Sequence, residues 1–403
     1  MASPVKLAFI GAGNRAHTYL EWVRRNPERA VAVAVADTDP VAASSFAVAA
    51  GIPSNAVYES AEALFNSPLE ADAAVICTPE GAHLQPALMA IDRGWHILLE
   101  KPVAPDMESC RTILHAAENR GVVAAVCHVL RYHPYWQRLR EIVQSGEIGQ
   151  VVSINHRVHV GIDRTTHTFV RGPWGDTTAT SPVLLSKCCH DVDILLWILG
   201  ENAQDIRSLG SLAWFRPENA PEGSTERCID CPHEKGCRFS AVDLYRRRHQ
   251  WIRTFTYPTT EEAIEQQLLH GRYGRCVYRC GNNAPDRQAL IFTTPSSALV
   301  TLTMEMFTDD DARLTNISLT GGEITADSRS IRIHRFTTSS QSDADTLITF
   351  PDELFGPFHG GADHAIVDDF IKAVNDPSHT LTAPLSTALE SHRVCLAASG
   401  NNT

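Results

Sequence analysis

The stretch VKLAFIGAGNRA at residues 5–16 decides the fold of the first part of this chain. An apolar run suited to a buried strand leads into a glycine loop, and a helical pattern follows through Val23. A strand, a glycine turn and a helix in this order are typical of a dinucleotide-binding loop, in which the helix N-terminus faces the pyrophosphate. We expect Gly11 to permit the tight turn and Gly13 to let the backbone approach the phosphates.

A second apolar run, residues 30–36, ends at Asp37. A carboxylate about twenty residues after the glycines accepts hydrogen bonds from a ribose 2′-hydroxyl. Asp39 adds negative charge and no arginine stands beside them, so the pattern favours NAD over NADP. The alternative is a solvated acid at a turn.

Three more apolar runs, at residues 73–77, 96–99 and 122–126, are separated by segments long enough for helices. This alternation predicts an α/β domain with a parallel sheet, whose ligands gather at the carboxyl ends of the strands. The candidate site residues at or just after these ends are Thr78, Pro79, His83, Glu100, Lys101 and His128.

Beyond residue 135 the alternation stops, and β-type runs follow one another at residues 151–158, 289–292, 298–307 and 313–319. Successive strands joined by turns predict an open, mainly antiparallel sheet in an α+β domain. We therefore expect a Rossmann domain over residues 1–126 and a second, substrate-binding and oligomerisation domain over residues 127–403. Its C-terminal helices should pack back on the first domain.

The first-domain motifs together resemble one family. The motifs are GAGNRA at residues 11–16, Asp37, CTPEGAH at residues 77–83 and EKP at residues 100–102, and they resemble the Gfo/Idh/MocA family of glucose-fructose oxidoreductase and inositol dehydrogenase relatives. The resemblance implies NAD-dependent hydride transfer at a secondary carbinol of a sugar or cyclitol, with Lys101 touching the reacting hydroxyl. It also implies a homo-oligomer, a dimer or tetramer, built through the open sheet. The expected cofactor-binding residues are Gly11, Gly13, Asn14, Arg15, Asp37, Thr78, Pro79, His83, Glu100 and Lys101.

The apolar stretch LLSKCCHDVDILLW at residues 184–197 predicts a helix that carries Lys187 and His190 on one stripe. A buried lysine without a partner costs several kcal/mol, which is tolerable where a cofactor or substrate supplies the partner. The alternative is a lysine that reaches solvent above a hydrogen-bonded core histidine.

The family pattern for this helix resembles Asp-x-Gly-x-His-x-x-Asp. His190 and Asp193 match its last two elements, whereas Ser186 and Cys188 replace the usual acid and glycine. We expect Lys187 to take over part of the proton transfer of the missing acid. A neutral imidazole at His190 can accept the carbinol proton as hydride leaves.

The loop HTFVRGPW at residues 167–174 combines an aromatic plate with cationic donors. Tryptophan packs on the apolar faces of sugars, and arginine binds carboxylate, phosphate or sulfonate oxygens in pairs. Surface arginines and a core tyrosine are the alternatives. The expected substrate-binding residues are Arg131, Tyr132, His167, Arg171, Trp174 and Asp193.

A cysteine-rich insertion, at about residues 217–285, contains Cys228 and Cys231 in a CxxC turn, followed by Cys237. A fourth thiolate from Cys276 or Cys280 would complete a tetrahedral site, so we expect structural zinc in preference to an iron–sulfur cluster. Reduced thiols without a metal are the alternative.

The Lys-Cys-Cys-His-Asp helix and this insertion together resemble the branch of NAD-dependent oxidoreductive glycosidases, among them the sulfoquinovosidases. We therefore favour transient oxidation at C3 that cleaves a glycoside with the cofactor regenerated, on an anionic sugar such as sulfoquinovose. A net sugar or inositol dehydrogenase is the alternative, and an NAD-binding regulator without chemistry is the third.

A net charge of −12 argues against nucleic acid or an anionic membrane as partners. No apolar stretch is long enough to span a bilayer, and the first strand is too short for a signal-peptide core. The eleven cysteines are interpreted as reduced thiols or metal ligands in a chain of 403 residues. We expect a cytoplasmic protein.

Overall fold

The computed structural model describes residues 3–248, 260–337 and 345–400 of the chain. The first domain is built on a six-stranded sheet in which every pairing is parallel. Its strands are β1 (Val5–Ile10), β2 (Ala30–Ala36), β3 (Val57–Tyr58), β4 (Ala73–Ile76), β5 (His96–Leu99) and β6 (Ala124–Val126). Their order is β3-β2-β1-β4-β5-β6, which is the Rossmann order, so the carboxyl ends of β1, β4 and β5 lie side by side.

The helices between these strands cover the sheet, which explains why β4 is buried at all four of its positions. They are α1 (Asn14–Arg25), α2 (Pro40–Ala50), α3 (Ala61–Phe65), α4 (Leu84–Asp92) and α5 (Met107–Arg120). The predicted α/β fold of the first domain is therefore confirmed.

The second domain contains an eight-stranded sheet in which β7 and β10 are the one parallel pair among the described strands. Its strands are β7 (Val151–Gly161), β8 (Gln204–Ser211), β9 (Arg287–Thr293), β10 (Leu299–Thr308), β11 (Arg313–Leu319), β12 (Gly322–Ala326), β13 (Ser330–Arg335) and β14 (Asp345–Thr349). The order is β14-β13-β12-β11-β7-β10-β9-β8. Residues of β9 and β10 alternate between buried and less buried positions, because one face packs on helices and the other is open. The predicted mainly antiparallel sheet is confirmed.

The second domain contains seven α-helices in its described ranges, of which α9 packs within the cysteine-rich insertion. They are α6 (Pro134–Gln144), α7 (Ile162–Arg164), α8 (Val183–Leu199), α9 (Glu261–Leu269), α10 (Pro357–Gly360), α11 (Ala362–Asn375) and α12 (Leu385–Ala398). A π-helical segment, Thr165–Arg171, follows α7. Helix α8 packs against α6 and α12 and is buried along nearly its whole length.

The C-terminal helices return to the first domain. Helix α11 packs on α1, and α12 packs on α5 and β6. The backbone N–H of Val126, in the last strand of the first sheet, donates to the carbonyl of Ala383 at 3.1 Å. The two domains therefore share an extensive contact beside the site. No helix in the described ranges is both long and apolar enough to cross a membrane.

Candidate active site

A cleft of about 1590 Å³ separates the two domains at the carboxyl end of the parallel sheet. The first domain contributes the glycine loop and the ends of β2, β4 and β5, and the second contributes α8 and three loops. The predicted site residues that line the cleft are Gly11, Gly13, Asn14, Arg15, Asp37, Thr78, Pro79, Glu100, Lys101, Trp174, Lys187 and His190. The fold thus brings the predicted cofactor loop and three predicted proton-handling side chains to one cavity.

The glycine loop has the geometry that a pyrophosphate requires. Gly11 has φ +92°, and a Cβ there would lie 2.8 Å from the carbonyl carbon of Cys77. Gly13 precedes α1, and no atom lies within 4 Å of the position of its missing Cβ, so its backbone is open to a ligand. A carboxylate oxygen of Asp37 accepts from the backbone N–H of Ala12 at 2.6 Å, which ties the end of β2 to the loop. The glycine loop fits the pyrophosphate of NAD, and Asp37 fits its ribose.

Glu100, in the EKP motif, is part of a buried network that fixes the loop. Its carboxylate accepts from Arg15 Nε at 2.6 Å and from the hydroxyl of Tyr19. Burial alone would raise the pKa of Glu100, but Arg15 and Tyr19 outweigh it and hold that pKa below its usual value. Arg15 also donates to Asp363 in α11 at 2.7 Å. Glu100 is therefore ionised and connects the loop to Lys101.

Lys101 projects from the end of β5 toward α8. Its Nζ donates to the backbone carbonyl of Ser186 at 3.0 Å, and its backbone N–H donates to Glu100 at 3.1 Å. These bonds place an ammonium group across the cleft between the two domains. The contact with Ser186 involves the position where the family usually has its acid.

His83 was predicted to contact the cofactor, and it is not among the residues that line the cleft. The side chain is buried, and its ring nitrogens lie 2.9 Å from the carbonyl oxygen of Pro102 and 2.7 Å from that of Thr78. Burial lowers its pKa. Through these two contacts His83 links the ends of β4 and β5 and positions Thr78 and the EKP turn.

Lys187 and His190 face the cleft from α8. Burial, with Arg164 and Arg313 nearby, lowers the pKa of Lys187 to about 8. Burial and the nearby Lys101 ammonium lower the pKa of His190 well below its usual value, and its Nδ1 has no hydrogen-bond partner among the described residues. The cleft therefore contains a neutral imidazole and an amine that titrates near neutrality.

Trp174 forms part of the cleft wall and contacts the first domain. Its Nε1 donates to Glu80 Oε1 at 3.0 Å, and the hydroxyl of Ser181 donates to the same oxygen at 2.8 Å. Glu80 belongs to the CTPEGAH motif and also lines the cleft. The indole ring is consequently held in place as a flat apolar surface beside the cavity.

Arg131 and Asp193, which were predicted to bind substrate, do not line the cleft and pair with each other. The Arg131 guanidinium donates to both carboxylate oxygens of Asp193, at 2.8 and 2.6 Å, and both residues are buried. Tyr132 is buried as well and donates to Asp369 at 2.7 Å. These side chains use their polar atoms to hold α8 and α11 in place.

His167 and Arg171, which were predicted to contact substrate, also lie away from the cleft. His167 Nδ1 lies 2.8 Å from the Tyr245 hydroxyl, and its ring stacks on Tyr273. Burial, together with Arg171, lowers the pKa of His167 to about 4. Both residues belong to the π-helical segment, whose side chains turn into the cysteine-rich insertion.

The cleft also contains Arg164 together with two arginines, Arg313 and Arg329, that the sequence did not single out as catalytic or binding residues. Arg164 Nε lies 3.4 Å from Asp311, and Arg313 donates to the buried Asp191. Arg329 is paired with Asp352. All three arginines line the cleft, although they come from separate segments. Their convergence depends on the second sheet, so no local motif could have indicated it.

The predicted metal ligands lie outside this cleft. Across the described ranges, no three carboxylate, imidazole or thiol side chains converge closely enough to bind a metal as they stand. All eleven cysteines are free thiols.

Two family models match the chain. The NAD-binding Rossmann fold of the Gfo/Idh/MocA oxidoreductase family matches residues 5–128, and the C-terminal domain of the same family matches residues 136–227. The chain belongs to the Gfo/Idh/MocA oxidoreductase family. The first domain is accordingly its NAD-binding Rossmann domain, as predicted.

Several sugar and cyclitol enzymes are similar to this Gfo/Idh/MocA protein. An inositol 2-dehydrogenase from Streptomyces avermitilis is 28% identical over 227 residues, which are 55% of this chain and 60% of that protein. The alignments to this enzyme and to two other curated relatives cover between 40% and 60% of those proteins. A D-glucoside 3-dehydrogenase from Escherichia coli is 25% identical over 78% of this chain and 86% of its own length.

The fold is shared along the whole chain with solved structures. An oxidoreductase from Agrobacterium radiobacter, in complex with NAD+, L-tartaric acid and magnesium, superposes with a TM-score of 0.71. The match covers 99% of this chain and 96% of that chain at 15% identity. At this identity the likeness concerns the fold alone.

Proposed function

We propose that this protein catalyses NAD-dependent hydride transfer from a secondary carbinol of a sugar, at C3. The observation that carries this proposal is the presence of Lys101 and His190, from different domains, in the same cleft as the open glycine loop. The 3-dehydrogenase relative agrees with this position on the ring. Bound NAD would supply the hydride acceptor.

Residues of this chain bind the reacting hydroxyl and accept its proton. The Lys101 ammonium has a fixed direction because Ser186 accepts one of its hydrogens, which leaves two donors for the reacting hydroxyl. The neutral His190 imidazole has an available Nδ1 that can accept the hydroxyl proton as the ketone forms. Trp174 would cover an apolar face of the sugar ring.

We extend the proposal to cleavage of a glycoside, for which Lys187 supplies a second base. A ketone at C3 acidifies the hydrogen on C2, and a Lys187 amine with a pKa of about 8 is neutral in about a tenth of molecules at pH 7, far more than an unperturbed lysine. Removal of that proton expels the C1 aglycone as β-elimination forms a C1–C2 double bond. Water then adds at C1 while the proton returns to C2. Return of the hydride that was taken from C3 would then reduce the ketone. The net reaction is hydrolysis.

An anionic sugar such as sulfoquinovose is the substrate class that we propose for this cleft. Arg164, Arg313 and Arg329 line the side formed by the second domain. A guanidinium group presents a planar pair of donors that matches sulfonate, carboxylate or phosphate oxygens.

The test is incubation of the purified protein with NAD and matched pairs of sugars and glycosides, neutral and anionic. Reduced nicotinamide and released aglycone are followed in the same reaction. Aglycone release with catalytic NAD supports the glycosidase, whereas stoichiometric reduced nicotinamide without bond cleavage supports the net dehydrogenase. NAD binding without either signal on any sugar would support a regulator and contradict the proposal.

We also propose a homo-oligomer formed through the outer face of the second sheet. This face exposes apolar side chains on four neighbouring strands, and they are Val152, Leu209, Ile291, Leu299 and Phe307. An exposed row of this kind is typical of a surface that is covered by another subunit.

A further inference from the structure

The cysteine-rich insertion has little regular structure to hold it together. Within its described residues, most elements are three-residue helical turns, and α9 is the longest helix. Its apolar residues form two small clusters, one around Tyr245 and one around Phe215. Segments with small cores of this kind are usually stabilised by disulfides or metals, and all of its cysteines are free thiols.

Backbone pairing brings distant cysteines of the insertion together. Arg227 and Arg275 form an antiparallel β-bridge, and the Cys228 sulfur lies 3.8 Å from the Arg275 carbonyl oxygen, so the segments that carry Cys228 and Cys276 meet here. The backbone N–H of Cys276 donates to the carbonyl of Glu226 at 2.9 Å. The CxxC turn is closed by the bond from the Cys231 N–H to the Cys228 carbonyl at 3.3 Å.

A small enclosed cavity lies at this junction. Four of its lining residues are Cys228, Cys231, Cys237 and Cys276, and its volume of about 20 Å³ suits a single ion or water. Cys280 is not among the lining residues, and its thiol donates to the carbonyl of Cys276 at 3.2 Å. The structure thereby separates Cys276 from Cys280, which the sequence spacing could not do.

A buried cation stands beside the same thiols. The Arg171 side chain is 2% exposed, and its Nη2 lies 3.6 Å from the Cys228 sulfur. Its Nε donates to the carbonyl of Arg275 at 2.8 Å, and its Nη2 donates to that of Phe239 at 2.5 Å. Its Nη1 has no partner among the described residues. A buried guanidinium whose partners are two carbonyls and a thiol, with no carboxylate among them, is costly, so this position calls for negative charge.

We propose that Cys228, Cys231, Cys237 and Cys276 bind one structural Zn²⁺ as four thiolates, with Arg171 as the buried counter-ion. Binding releases four thiol protons and leaves a centre of net charge −2, which the guanidinium partly offsets. In this structure the four thiols are not placed at metal-binding distances from one common point. The proposal depends on their shared cavity, on their soft donor chemistry and on the orphaned Arg171 nitrogen.

The metal would also support the wall of the cleft. Arg171 and Gly172 lie just before Trp174, and Arg272 of the insertion donates to the carbonyls of both, at 2.6 and 2.8 Å. The insertion thus holds the backbone that carries the indole. Fixing the insertion with a metal therefore fixes Trp174.

The first test is metal analysis of the full-length protein by mass spectrometry, for which we expect close to one zinc per chain. Cys237→Ser should lose that zinc, whereas Cys280→Ser, the matched control, should retain it. Co²⁺ substitution of the wild-type protein gives a second measurement if a variant fails to fold, because four thiolates produce intense sulfur-to-metal charge-transfer absorption.

Arg171→Gln tests the counter-ion. We expect zinc affinity, measured by competition with a chelator, to fall about 10- to 100-fold, as for other residues that support metal ligands. The proposal is overturned if wild-type protein refolded with Zn²⁺ binds no metal, if Cys280→Ser loses zinc as Cys237→Ser does, or if the bound metal is iron. An unchanged affinity in Arg171→Gln would exclude the counter-ion role.

Discussion

The Lys101 ammonium group donates a 3.0 Å hydrogen bond to the backbone carbonyl of Ser186. The lysine ends a strand of the Rossmann domain, and the carbonyl belongs to helix α8 of the second domain. A backbone acceptor is present whatever the side chain at that position. This hydrogen bond therefore does not depend on which side chain stands at position 186.

Replacing Lys101 by methionine should reduce turnover about 10²- to 10⁴-fold, because it removes a proton-handling group but keeps the side-chain volume. NAD affinity should remain close to that of the wild type, since the glycine loop is unchanged. Steady-state kinetics and fluorescence titration with NAD measure the two effects. Lys372→Met, at an exposed lysine, is the control. Wild-type turnover in Lys101→Met would refute the assignment.

The pH dependence of aglycone release should report the titration of the Lys187 amine. The amine is a base only when neutral, and its pKa is lowered to about 8, so aglycone release should rise with pH and level off above that value. Lys187→Met should remove this limb of the profile and most of the aglycone release. If the variant kept the same rising limb, the base would be a different group.

The same substitution should stabilise the protein. Lys187 has a pKa of about 8 when folded, against 10.5 in the unfolded chain, so the unfolded state binds more protons between these values. Protonation of the buried Lys187 amine costs the folded protein roughly 3 kcal/mol of stability. This cost is fully present below pH 8 and disappears above pH 10.5. Urea unfolding at pH 7 should therefore show a more stable Lys187→Met variant. A gain that does not shrink as the pH approaches 10.5 would contradict this explanation.

Asp193→Asn should lower the free energy of unfolding by about 3–5 kcal/mol, because it leaves the buried Arg131 without its carboxylate. Urea titration measures this loss, and the exposed Asp92→Asn serves as its control. Activity per folded molecule should change little, since neither residue of the pair lines the cleft. An unchanged unfolding midpoint would show that the pair contributes no net stability.

Leu209→Glu should weaken self-association, because it places a charge on the outer face of the second sheet. Val48→Glu is a matched control, since both side chains are 84% exposed and Val48 lies on the first domain. Light scattering after size-exclusion chromatography gives the oligomeric state. Equal masses for the two variants and the wild type would argue against this face as the interface.

The sequence predicted those parts of the molecule that local patterns encode. The glycine loop, the strand ends and Lys101 follow from apolar runs and turn residues that are adjacent in the chain. Strands β12–β14 were missed because they are short or exposed, and β8 because its residues are mostly exposed.

The predicted substrate-binding residues that lie away from the cleft pair with residues far away in the chain. Arg131 meets Asp193 62 residues away, and Arg171 meets Cys228 57 residues away. A polar side chain within a motif gives no indication of whether its partner is a substrate or another part of the protein. Arg313 was overlooked because it stands at the start of β11, in a stretch that contains no recognisable motif.

Arg15 bonds at once to Glu100, beside the catalytic lysine, and to Asp363 in a helix of the other domain. A single guanidinium on the phosphate-facing loop thus belongs to both halves of the enzyme. A ligand that orders this loop is therefore coupled to any ligand that binds the second domain, and by linkage each changes the affinity for the other by the same factor.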